Sequence, residues 1–286
     1  MLIFFMVYAL PGDPIRALAG DRPLPAAVQA ELRERYNLDD PLHVQYGKYV
    51  AGLARGDLGT DFRGVPVSET IQQRLPVTLK LAVVAVGIEA VFGILAGVLA
   101  GIRKGSFFDN LVLVTTIAVV SIPIFVIGFL AQYVLGLQLR LFPISGAASW
   151  HSFLLPGFVL ASLSLAYVAR LTRTSLVENL RNDYVRTARA KGLSPRLVVG
   201  KHALRNSLIP VVTFLGADLG NFISSTIVTE GIFNLPGLGS TVFRAVRAQE
   251  GAVVVGVVTL FVFIYILVNL VVDIVYAFLD PRIRYE

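Results

Sequence analysis

The chain has 286 residues, 55% of them hydrophobic and 15% charged, with 25 Lys and Arg against 19 Asp and Glu for a net charge of +6; its mean hydropathy is +0.72. That is more apolar surface than one soluble core absorbs, so part of it must face lipid, and the lack of cysteine excludes disulfides, thiolate metal sites and cysteine nucleophiles. The positive charge does not gather on one nucleic-acid-binding face: 13 of the 25 basic residues fall in segments assigned below to the cytosol, as membrane topology demands.

Residues 1–10 are apolar, but ten helical residues reach only about 15 Å, half a bilayer, so we expect the first spanning helix to begin upstream, with roughly 20 more residues in the natural chain. Residues 11–75 carry eight basic and nine acidic residues and are long enough to cross irrespective of charge. They read as an extracytoplasmic segment with short amphipathic helices over 25–36 and 44–53 and a turn at Gly56-Asp57-Leu58-Gly59. Five further spans are expected over 77–102, 111–137, 153–169, 208–228 and 252–279, the third of these short and opened by Pro156. The organisation is thus a remnant of the first span (1–10), an outer segment (11–75), and a five-helix transmembrane core (76–286) with a cytoplasmic loop at 170–207.

That loop is a basic insert in an oily chain. From Arg170 to Asn206 there are nine Lys or Arg and two acids, Glu178 and Asp183. Asp183 can cap a short helix, Gly192 can end it in the left-handed conformation, and Ser194-Pro195 supplies the N-cap and first-turn proline of a second helix. Two short helices meeting at a glycine elbow belong on the cytoplasmic side. Counting outward from it, both termini and the 101–110 loop, with Arg103 and Lys104, lie inside, and 11–75, 136–152 and 230–251 lie outside.

Within the spans, Gly93, Gly97 and Gly101 recur every four residues, as do Gly216, Gly220 and Ser224, the small-residue spacing that lets helices approach closely in lipid. Glu89 sits mid-span, where an unpaired charge is costly. Asp218 lies about 200° around its helix from Gly216 and Gly220, so it faces away from them, with Asn221 and Ser225 on its side. Glu89 and the Asp218, Asn221, Ser225 face either line a hydrated solute path or form an interhelical hydrogen-bond network. Tyr265, Asn269, Asp273 and Tyr276 make a second polar stripe, in which Asp273, near the cytoplasmic end, reads as structural.

No phosphate-binding loop, H-E-x-x-H or G-x-S-x-G motif is present, and His43, His151 and His202 are scattered. The chain is therefore expected to be no enzyme, with no catalytic residue, metal site or bound cofactor of its own, and active transport would draw on a partner subunit or an ion gradient.

Taken together the residues resemble the inner-membrane permease subunits of ABC importers of the dipeptide/oligopeptide type, along essentially the whole chain. The matching stretches are Leu10-Pro11-Gly12-Asp13-Pro14, Gly56-Asp57-Leu58-Gly59, Leu75-Pro76-Val77-Thr78-Leu79, the 183–192 loop, the run His202 to Pro210, and the ending Leu279-Asp280-Pro281-Arg282-Ile283-Arg284-Tyr285. The resemblance implies an all-α, type I importer permease fold with six spans. It implies a short cytoplasmic helix that docks on an ATPase through an E-A-A-x-x-x-G signature. Ala188 and Gly192 match its second alanine and glycine, Arg186 and Thr187 replace the glutamate and first alanine, and Arg205 stands where the signature has a proline, with Pro210 five residues later. Tyr184, Arg189 and Lys191 complete the expected coupling surface. The implied partners are a second permease, two ATPase subunits holding ATP and Mg, and an extracytoplasmic solute-binding protein that docks on 11–75 and on 230–251, in the bacterial inner membrane. The implied solute is a di- or oligopeptide, with haem, glutathione or nickel as alternatives. Rival readings are an ion-driven secondary transporter working through Glu89 and Asp218, and a membrane scaffold.

Overall fold

A computed structural model describes residues 1–8, 15 and 25–279, without the side chains of 35 and 275–279. The Leu10 to Pro14 motif, the ending after Leu279 and the Tyr276 side chain lie outside the described residues. Among the described residues the chain is helical: α1 (Leu2–Tyr8), α2 (Ala26–Arg35), α3 (Leu42–Leu53), α4 (Val67–Ile102), α5 (Phe107–Val120), α6 (Ile124–Gln138), α7 (Trp150–Asn179), α8 (Asp183–Ala190), α9 (195–207), α10 (Ile209–Ile232), α11 (Leu238–Arg247) and α12 (Gly251–Leu279). Among the described residues, α4, α7, α10 and α12 are each long and apolar enough to cross a membrane, and α5 with α6 has the combined length and apolarity of a broken span or a re-entrant loop.

Three of the expected spans change shape. The run at 111–137 is broken: α5 and α6 meet at 105°. Pro123 has no N–H to give a continuing helix and disfavours helical geometry at Ile122. Ser121 Oγ turns back to the Ile117 carbonyl at 2.9 Å, which loosens the last turn. α4 begins at Val67 and carries Pro76 inside it, because its first turns are polar and a hydropathy window sees only the apolar remainder. α7 continues as helix to Asn179, so residues 170–179 of the basic loop are the projecting end of a span. α2 is exposed nearly all round rather than amphipathic.

α4 and α7 run side by side in the same direction, and their spacing is set by glycines. A Cβ on Gly93 would sit 2.7 Å from Val168 Cγ1, one on Gly97 would sit 2.5 Å from both the Ala169 carbonyl oxygen and Thr172 Cβ, and one on Gly101 would sit 3.1 Å from Leu176. From the other side, Gly157 of α7 opposes Val84. The first glycine column therefore packs inside this chain. Gly216 and Gly220 of α10 do the same against Val272, Tyr265 and Val268 of α12. At one end of the α4–α7 pair, Arg173 donates two 2.8 Å hydrogen bonds to the buried Asp109 at the start of α5, and the Gly105 N–H donates a third. The pair is bidentate and charge-assisted, so it ties α5 to α7 firmly.

The opposite end is closed by a buried carboxylate. Glu230, near the end of α10, accepts from Thr78 Oγ1 of α4 at 2.7 Å and from the Ser240 N–H of α11 at 2.8 Å, while Thr78 Oγ1 itself accepts from the Leu238 N–H at 2.8 Å. Its carboxyl group thus caps the N-terminus of α11, accepting from an N–H that has no partner within the helix. Three elements, α4, α10 and α11, meet on this one side chain.

Replacing Gly97 with alanine pushes a methyl group into backbone atoms that cannot rotate away, and should destabilise the α4–α7 pair by about 1–3 kcal/mol. Gly87, whose Cβ would meet nothing within 4 Å, should tolerate alanine. Thermal unfolding of the two variants in detergent checks this: Gly97→Ala is expected to melt clearly below the parent and Gly87→Ala at or above it.

Candidate functional site

Two regions carry the chemistry the sequence singles out, the basic elbow and a buried acidic pair. The elbow folds as its residues dictate, with one change of cap. The N-cap of α8 is Asn182, and Asp183 is the first helical residue, its carboxylate paired with Arg186 and its carbonyl accepting from Thr187 Oγ1 at 2.9 Å. Tyr184 Oη donates to Asn179 Oδ1 at 2.6 Å, linking α8 back to the end of α7. Gly192 has φ +76 and ends α8 with its N–H on the Arg189 carbonyl, a conformation that costs any other residue type free energy. Ser194 then caps α9, with Pro195 in its first turn.

The elbow has its own small core. Val185 and Ala188 of α8 bury against Leu176 of α7 and against Val198 and Ala203 of α9. Ala188 therefore faces this chain's own core, and its small size permits the close seating of α8 on α7 and α9. Arg186, Arg189 and Lys191 point outward and are exposed, with Tyr184 partly exposed beside them. Ser207 Oγ donates to the Ala203 carbonyl at 2.8 Å, at the joint where α9 passes into α10. The result is a rigid knuckle, apolar inside and cationic outside, fused to the ends of two spans.

The acidic pair is brought together from distant segments. Glu89 of α4 is fully buried and Asp218 of α10 is 6% exposed; the two carboxyls are neighbours across the interface, and no other group donates a hydrogen bond to either Glu89 oxygen or to Asp218 Oδ2. Asn221 Nδ2 donates to Asp218 Oδ1 at 3.0 Å. Glu89 opens a π-helical turn, Glu89–Gly93, within α4, the kind of local distortion frequent at functional sites. From Asp218 the polar stripe continues to Asn221 and Ser225, both exposed. Asn221 also lines a groove of about 350 Å³ between α10 and α12, with Ser224, Phe261 and Tyr265. Gly216 and Gly220 pack on the other side of α10, as the 100° periodicity requires. On α12, Asn269 Nδ2 donates to the Tyr265 carbonyl of its own helix at 2.9 Å, and Asp273 is exposed.

Sequence reasoning missed Glu230, Thr78 and the Asp109–Arg173 pair. Glu230 sits at the margin of an apolar run, where an acid looks like an ordinary boundary residue; the usable signal was a Gly-rich turn and new helix start just after it. Outside the spans, Glu250 closes the α11–α12 turn, and burial, with the negative charge of Asp61 nearby, pushes its carboxyl above the ordinary range. No cluster of three or more metal-ligating side chains occurs among the described residues.

Residues 93–285 match the family described as binding-protein-dependent transport system inner membrane component, and residues 1–82 match the N-terminal region of such membrane components. The glutathione transport system permease protein GsiC of Salmonella paratyphi A is 40% identical over all of this chain and 94% of its own length. The dipeptide transport system permease protein DppB of Alkalihalophilus pseudofirmus is 35% identical, with the same coverage. The solved structure of the MetNI methionine ABC transporter in an inward-facing conformation superposes with a TM-score of 0.60 at 18% identity, over 74% of this chain and 97% of that one, which shows that the two chains share a fold. Matched by family and by relatives along its whole length, the chain belongs to the inner-membrane permease components of binding-protein-dependent transport systems.

Proposed function

We propose that this permease carries short peptides, di- and oligopeptides or the tripeptide glutathione, inward across a bacterial plasma membrane, and that its 183–207 elbow is the lever gripped by an ATPase subunit. The observation that carries the reading is the construction of the elbow: a private apolar core beneath an outward face of Arg186, Arg189 and Lys191. Such a knuckle transmits force without deforming, and its charges suit an acidic cleft. The solute class rests on relatives named for glutathione and dipeptide transport.

In this reading ATP and Mg are held by two ATPase subunits and this chain performs no hydrolysis. A second permease completes the path, which runs along Asp218, Asn221 and Ser225 with Glu89 behind them. Both termini and the elbow face the cytosol, and the solute-binding protein seats on the outer side, on 11–75 and on the turn and helix after Glu230. ATP binding favours one arrangement of the two permeases over the other, and that differential affinity reaches the spans through the elbow.

Two experiments test this. In reconstituted vesicles holding the permease with its partner subunits, Gly192→Ile forces a β-branched residue into the left-handed region while leaving every span intact. The expected result is a permease that inserts and assembles normally but loses at least tenfold in peptide uptake, with ATP hydrolysis no longer stimulated by the loaded binding protein. Normal stimulated hydrolysis and uptake would refute the lever, and uptake that survives without ATPase but collapses with an uncoupler would replace it with ion-driven transport. For the outer face, Thr78→Val removes the hydroxyl that joins α4 to Glu230 and α11. Titration of the ATPase with loaded binding protein should then need several-fold more protein for half-maximal stimulation, at an unchanged maximum.

A further inference from the structure

The transport reading sets Asp218 on the path with Glu89 behind it but gives the pairing of these two acids no role. Glu89 and Asp218 face each other in the bundle interior, both more than nine-tenths buried, with three of their four carboxyl oxygens lacking any donor. The fourth is satisfied by Asn221. Contrast Glu230, equally buried, which receives Thr78 Oγ1 and the Ser240 N–H: where this fold keeps an acid as an internal cap, it provides donors. At Glu89 it provides none, and the charged side chain acting on it among the described residues is another acid. Two bare carboxylates facing each other away from water repel at short range and each forfeits its hydration, so the arrangement is stable only with a positive charge between them. Other charged or aromatic polar groups on the neighbouring elements have partners elsewhere: Arg170 of α7 lies over Tyr167, which stacks on Phe214; Arg173 is paired with Asp109; Glu230 is held by Thr78 and Ser240; and Tyr265 of α12 lies by the groove and against Gly220.

We propose that Glu89 and Asp218 form a binding site for one small monovalent positive charge, a proton or a sodium ion, clasped between α4 and α10. Asn221 holds one oxygen of Asp218 fixed, which leaves the other aimed at Glu89. The polar stripe through Asn221 and Ser225 gives the charge a way to the exposed face of α10. Because the site is composed of side chains from two spans, it is complete only when α4 and α10 are packed together, so an occupied site favours the packed arrangement and parting the spans releases the charge. This does not depend on the solute or on the ATPase-lever reading.

The test uses the permease assembled with its partner subunits in lipid nanodiscs. Infrared spectra in H2O and D2O should show a deuterium-sensitive carboxylic-acid C=O band in the parent that is lost in Glu89→Gln and shifted in Asp218→Asn, where the buried Glu89 keeps a proton it no longer shares. Alternatively, if the charge is sodium, the band is absent and the parent binds one 22Na+ per chain, lost in both variants. Each substitution is isosteric and removes a repulsive charge, and Glu230→Gln, which should leave the signal in place, controls for general damage. The site is refuted if the parent shows neither the acid band nor 22Na+ binding, if the acid band survives Glu89→Gln or is unmoved in Asp218→Asn, or if 22Na+ binding survives either substitution. Solute-stimulated ATP hydrolysis is measured on the same parent sample; its absence would overturn the importer reading while leaving the spectroscopic result standing.

Discussion

The close approach of α4 and α7 through a glycine column is the constraint on which the rest of the architecture depends. Lipid offers helices no hydrophobic incentive to associate, so the gain comes from backbone-to-backbone contact that only small residues permit. Gly93, Gly97 and Gly101 allow α7 to lie against α4 with backbone atoms in the interface. Once that pair is fixed, much else has no freedom. The face of α4 carrying Glu89 is committed to the interior, where α10 presents Asp218. The far end of α7 is held at a set distance from the start of α5, where Arg173 finds Asp109. Thr78, on the same helix, is delivered to Glu230. A single geometric permission thus positions both the acidic pair and the structural clamps at either end.

What could be read from the sequence follows how local each signal is. The elbow was legible almost residue by residue, because a left-handed glycine, a Ser-Pro helix start and a cationic surface are decided by neighbours in the chain. Two details differed: the cap moved from Asp183 to Asn182, since an acid at the first helical position already gains from the helix dipole without capping, and Ala188, expected on the coupling surface, packs into the elbow's own core. The direction of Asp218 away from Gly216 and Gly220 followed from helical periodicity alone. The break between α5 and α6 was hidden because a hydropathy window averages across Ser121-Ile122-Pro123, although proline was there to be seen. The Glu89–Asp218 and Thr78–Glu230 contacts were illegible for a deeper reason. Each joins residues of two spans far apart in sequence, and pairing of that kind is set by three-dimensional packing that no single segment encodes. For the same reason the sequence showed that Gly93, Gly97 and Gly101 would pack, but not that α7 of the same chain would be their partner.

The elbow illustrates how a membrane helix can carry a mechanical signal. Had α8 been tethered to α7 by a flexible loop, displacement of α8 would dissipate in backbone torsions. Instead α7 continues as unbroken helix to Asn179 and contributes Leu176 to the same apolar cluster as Val185 and Ala188. α9 contributes Val198 and Ala203 to it and passes directly into α10. A push on the cationic face of α8 is therefore shared between α7 and α10 at once, because a close-packed core transmits strain rather than absorbing it. Of those two helices, α10 carries the buried Asp218 and α7 makes the glycine contacts that hold α4. A relative shift between them acts first on the interface where Glu89 meets Asp218. If the elbow is the lever proposed above, the same connection makes the acidic pair the point where its movement is felt, and a positive charge lodged there would resist separation until the lever supplies the work.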